Sequence, residues 1–85
     1  MRLRISNVEP AIHPSERVVE IETRSGPVQL VLDATVAASG YIEIGAPLSR
    51  SNEYCMIELP RETFQGEWRV WVPLHSLIQS LEGAA

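Results

Sequence analysis

The chain contains no lysine: its seven basic residues are all arginines, Arg2, Arg4, Arg17, Arg24, Arg50, Arg61 and Arg69. That absence removes Schiff-base chemistry, a lysine nucleophile and the lysine of a phosphate-binding loop. Cysteine is nearly absent too. Cys55 stands alone, so no disulfide can form within the chain. No apolar run reaches the roughly 18 residues that a membrane-spanning helix needs. The charges at the N-terminus, Arg2 and Arg4, are not followed by the apolar stretch of a secretory signal. A single thiol and the missing signal pattern lead us to expect a reducing, cytoplasmic setting.

Imidazoles and aromatics are also sparse. His13 and His75 lie far apart, and no His-x-x-x-His or Cys-x-x-Cys spacing occurs. Zinc and iron sites draw three or four such ligands together at short spacings, so no metal or other cofactor is expected. Glycine-rich phosphate loops, nucleophile elbows and dinucleotide fingerprints are missing as well. The arginines are dispersed among glutamates rather than gathered in a run, which disfavours a nucleic-acid surface.

What remains is an acidic chain of 85 residues, with eleven carboxylates, a net charge of −4 and 45% hydrophobic residues. This length suits a single domain spanning residues 1–85, with modest stability and a tendency to gain from association.

The dominant pattern is period-two alternation, the mark of half-buried strands. Leu3 and Ile5 alternate with Arg2, Arg4 and Ser6. Pro10 and Pro14 make residues 7–15 an extended connection. A hairpin is expected over residues 16–33, with Val19, Ile21 and Thr23 on one arm and Val28, Leu30 and Leu32 on the other. Centring it on Ser25-Gly26 sets Ile21 against Leu30 and Val19 against Leu32, so core residues meet core residues. Asp33 can cap a short turn over residues 34–38, which Gly40 can close, although a broad loop also satisfies this stretch. Ile42 and Ile44 flank an outward Glu43, and residues 45–52 read as a polar loop. Cys55, Ile57 and Leu59 share one strand face, while Tyr54, Met56 and Glu58 share the other. In a last strand over residues 67–72, Trp68, Val70 and Val72 point to the core, leaving Arg69 and Trp71 outside. Leu74, Leu77, Ile78 and Leu81 follow helical spacing, with Pro73 at the first turn and Gly83 past the end. The expected fold is therefore mainly β: about six mostly antiparallel strands in a small sheet, sandwich or partly closed barrel, closed by one C-terminal amphipathic helix.

Glu20, Glu22, Glu43 and Glu58 all take the outward parity of their strands. Neighbouring strands would turn them into an acidic face, crossed by Arg17, Arg24 or Arg69. A solvated face is the ordinary reading of such a pattern; recognition of a basic partner is the functional one. Trp71 beside Arg69 matches the composition of interface hot spots, though the C-terminal helix or a second copy could cover it.

Cys55 falls in the core phase, where free cysteine is commonly found. The polar stretch 45–52, with Ser49, Arg50, Ser51 and Asn52, could hold an anion, but ordinary loops share its composition. The leading expectation is a non-enzymatic protein-interaction or adaptor domain, assembled as a homodimer or other homo-oligomer, that masks a basic partner through Trp71, Arg69 and the outward glutamates. An inhibitor or immunity-type protein is one concrete form. The alternative is a small enzyme or ligand-binding protein built on Cys55, His13 or His75.

Overall fold

A computed structural model describes residues 1–78. It is mainly β, with nine short strands in three antiparallel sheets and very little helix. The strands are β1 (Arg2–Arg4), β2 (Ser6–Pro10), β3 (Glu16–Thr23), β4 (Gly26–Asp33), β5 (Tyr41–Glu43), β6 (Ser49–Ser51), β7 (Tyr54–Glu58), β8 (Arg69–Pro73) and β9 (Leu77–Ile78), with one helical turn, α1 (Ala34–Ala38). The sheets have the orders β5-β1-β9, β2-β3-β4 and β6-β7-β8.

Alternation builds each sheet with one apolar face, and those faces meet in one core. Leu3, Val19, Leu30, Ile57 and Val72 are fully buried within it, and Ile21, Ile42 and Cys55 nearly so. The N-terminal run serves two sheets. Leu3 lies across from both Ile42 and Leu77, and two residues past β1 the chain pairs Ser6 with Glu20 of β3. A bulge between Ser6 and Glu9 breaks the register, with Asn7 at φ 49°. Residues 7–10, expected as part of an extended connection, thus join Ser6 in an edge strand. Backbone bonds outside the ladders join the sheets: Arg24 N–H donates to the Trp71 carbonyl at 2.8 Å, and Phe64 N–H to the Gln29 carbonyl at 2.8 Å.

The β3–β4 hairpin keeps the expected face assignment, but its partners lie two residues along. Val19 pairs with Leu30, Ile21 with Val28 and Thr23 with Gly26, so Arg24 and Ser25 form the turn. Gly26, at φ 113°, takes the conformation that a side chain would strain. The shift also accommodates Pro27. Gln29 directs its carbonyl away from β3 toward Phe64, and Pro27, two residues earlier, shares that orientation. The N–H that proline lacks is therefore not one the β3–β4 ladder uses.

Asp33 caps α1, accepting from the Thr35 backbone N–H at 2.8 Å. Together with the Thr35 hydroxyl, which has the larger effect, this bond holds the Asp33 carboxyl below its ordinary value. Gly40 follows at φ 83° and lets the chain turn into β5.

Three further expectations need correction. Residues 49–51 are not loop; they pair with β7 as an edge strand. Trp68 is not in the core: the chain bends at this residue, one short of β8, and leaves it 49% exposed. The amphipathic helix does not form over residues 74–78. Leu74–Ser76 makes one 3-10 turn, and Leu77, at φ −95° and ψ 137°, is already extended. An isolated helix shorter than about 12–15 residues is marginal, whereas the second edge of β1 seats Leu77 opposite Leu3 and Ile78 opposite Arg2. Leu81 and Gly83, the rest of that expected helix, lie outside the described residues.

Leu30 is fully buried, whereas Ile12 is fully exposed. Leu30→Ala should cost about 2–5 kcal/mol in urea unfolding, while Ile12→Ala should stay within about 0.5 kcal/mol of the parent.

Candidate functional site

The residues expected to carry contacts are distributed over all three sheets. Each of three outward glutamates meets a basic group nearby. Glu43 lies directly across from Arg2, with Arg2 Nε 3.1 Å from its carboxylate. Glu58 lies across from Arg69 at 3.6 Å, and Glu22 reaches His75 Nε2 at 3.1 Å. Glu20, half-buried, sits opposite Gln29. No single acidic face collects all four. Exposed pairs of this kind contribute about 0–1 kcal/mol each, and they leave the carboxylates accessible.

Trp71 is half-buried, and its cover comes from the β3–β4 turn. The Arg24 guanidinium stacks over its ring at 4.8 Å from the centroid, with the Tyr54 ring at 6.0 Å. The Arg24 N–H bond to the Trp71 carbonyl fixes the same turn from the backbone side. Trp71 and Arg69 line a small hollow of about 130 Å³ with Thr23, Gln65 and Glu67. Trp71 is thus partly committed to holding two sheets together.

The more open aromatic is Trp68. It lines a hollow of about 320 Å³ together with Leu48, Leu59, Pro60, Glu43 and Glu58. Leu48 is 50% exposed, so an apolar pair stands in the open beside two carboxylates. Glu43 and Pro60 also line an adjoining, more apolar hollow of about 410 Å³ with Leu32, Val36, Tyr41 and Ile42. Both volumes reach the lower end of the roughly 300–1,000 Å³ common for ligand sites. Two of the expected site residues, Glu43 and Glu58, therefore come together here, and the aromatic beside them is Trp68 rather than Trp71. Strand parity alone could not have found it, because alternation ends where the ladder ends. The signal available was local: Thr63 Oγ1 accepts from the Gln65 and Glu67 backbone N–H groups, and Gly66 takes φ 86°. That turn, not a strand, leads into Trp68.

The nucleophile candidates are placed less favourably. Cys55 is 2% exposed among aliphatic side chains. His13 Nδ1 approaches Ser15 Oγ at 2.7 Å but also accepts the Ser15 backbone N–H at 3.2 Å. Both residues are exposed on one loop, and no third group orients the ring, so the contact is a local turn bond. Arg50, with Ser49 and Ser51, lies in an exposed edge strand. Among the described residues, no three His, Cys, Asp or Glu side chains gather as a metal-ligand group. No described helix is long and apolar enough to cross a membrane. Comparison with family models, curated proteins and solved structures finds no match to this chain.

The contrast between the two tryptophans is directly measurable. Acrylamide should quench Trp68 emission, read in Trp71→Phe protein, several-fold more strongly than Trp71 emission, read in Trp68→Phe protein. Equal quenching would mean that the Arg24 stack does not shield Trp71.

Proposed function

We propose that this protein is a non-enzymatic interaction domain that binds a basic partner through the Trp68 groove. The observation that carries this reading is the coincidence of exposed Trp68 and Leu48 with the carboxylates of Glu43 and Glu58 along one hollow. An exposed indole contributes a large contact area and a π face for cations, worth about 0.5–1 kcal/mol at open sites. Carboxylates at the rim add attraction for arginine and lysine and speed encounter. Among the described residues no cation lines the hollow itself; Arg2 and Arg69 meet Glu43 and Glu58 from outside it, leaving both carboxylates exposed. The net charge of −4 acts in the same direction at longer range.

Binding of this kind needs no reacting group, and the chain's one thiol sits in the core. A soluble inhibitor or adaptor that masks a positively charged surface is the form of activity that fits these features best.

Oligo-arginine and oligo-glutamate peptides provide the test, followed through tryptophan emission at low and high salt. The basic peptide should give a saturable change that weakens with salt, and the acidic one should give none. Trp68→Ala should abolish the saturable change. Glu43→Gln and Glu58→Gln should each weaken binding by about 1.5–5-fold. Glu9→Gln, an exposed carboxylate on β2 outside the groove, should leave it unaltered. Equal sensitivity to Glu9 and Glu58 would reduce the interaction to diffuse charge attraction and refute a defined site.

A further inference from the structure

We infer that the groove takes its partner as an added β-strand, an extended segment of alternating apolar and basic residues that pairs with the open edge of β5. The inference rests on the basic-partner reading above and specifies its geometry.

The direction of the β5 backbone groups follows from two bonds. Ile44 N–H donates to the Met1 carbonyl at 2.9 Å, and Ile5 N–H to the Gly40 carbonyl at 3.1 Å. Facing residues in an antiparallel pair alternate between hydrogen-bonded and non-hydrogen-bonded. In the β1–β5 register, Leu3 with Ile42 is therefore a bonded pair, whereas Arg2 with Glu43 and Arg4 with Tyr41 are not. The N–H and C=O groups of Tyr41 and Glu43 accordingly point away from β1. Those of Tyr41 are met locally by Ser39 Oγ, at 3.3 and 2.9 Å. Those of Glu43 have no hydrogen-bond partner among the described residues. β5 forms one edge of its sheet, and both hollows of the groove border Glu43. Just beyond it, Gly45 has open space where a side chain would stand, which lets another backbone approach closely.

Three of the other edges differ. β2 is interrupted by its bulge and ends at Pro10. β4 already receives Phe64 N–H on its outer side. β6 carries Arg50 between two serines, all exposed. Bulges, prolines and edge charges are the usual protections against strand addition. At β5 the flanking surface is an apolar trough instead.

The face pattern of β5 sets the partner's pattern. Ile42 and Ile44 turn inward and Glu43 turns outward. A strand beside them would lay apolar side chains over the trough floor at Leu32 and Leu59, and carry basic side chains outward beside Glu43. Charge complementarity also selects the occupant. A second copy would bring Glu43 and Glu58 toward their own equivalents and join two chains of net charge −4, whereas a basic segment meets opposite charge.

The experiment uses a short peptide of alternating valine and arginine and two N-methylated versions, one blocked at the valine amides and one at the arginine amides. An added strand turns only one of these sets toward β5. One methylated isomer should therefore lose at least about tenfold in affinity while the other stays within about twofold of the parent. Equal binding by both isomers overturns strand addition and leaves the basic-partner reading standing. Absence of saturable binding by any basic peptide overturns both. Sedimentation of the protein alone supplies the remaining arm: a stable dimer that the peptide fails to disperse overturns the assignment of this edge to a partner.

Discussion

The structure depends on three small sheets burying their apolar faces against one another. Their strands run from two to eight residues, and small isolated sheets are not stable in water without something packed on one face. Leu3 shows how the dependence is met. It stands in the central strand of its sheet, between Ile42 and Leu77, and is fully buried. Two residues later the same chain segment becomes the edge of the next sheet. At the far side, Arg24 ties the β3–β4 turn to β8 through its backbone and through its stack on Trp71. No sheet can be removed without exposing the inner faces of the other two.

That shared core is also what positions the groove. Burial of Ile42 and Ile44 fixes the phase of β5, and phase fixes everything else about that strand: Glu43 projects its carboxylate outward and its backbone groups sideways, away from β1. The sheet could have continued there with another strand. Instead the space beside β5 is bordered by α1, Pro60 and the bend at Trp68. The acidic and aromatic character of the groove thus comes from elements distant in sequence, brought together by packing they do not themselves supply.

Much of this was legible from alternation, because burial on one face repeats every second residue wherever a ladder persists. Val19, Ile21, Leu30, Ile42, Cys55, Ile57 and Val72 all turn inward as their spacing implies. The hairpin register carried over in parity but not in alignment, because the position of the turn depends on where Gly26 can take positive φ and on which edge tolerates Pro27. Trp68 escaped because a two-residue period says nothing about a residue beyond the last ladder bond. The 74–78 segment misled for a related reason. Leu74, Leu77 and Ile78 suit one face of a helix, but they serve equally well as a turn leading into a strand once β1 offers a free edge. Which pattern prevails is decided by a partner some seventy residues away in the chain, and no local spacing records it. The site was half legible: Glu43 and Glu58 follow from parity, while their joining with Trp68 is a consequence of tertiary packing.

Amide hydrogen exchange of the free protein, resolved residue by residue along β5, tests the central claim most directly. If the shared core holds β5 against β1 with its other edge open, Ile42 and Ile44 should exchange only through near-global unfolding, while Glu43 between them exchanges on the order of a hundredfold faster or more. Protection of Glu43 equal to that of its two neighbours would show that edge already paired in the free molecule, contradicting an open strand beside the groove.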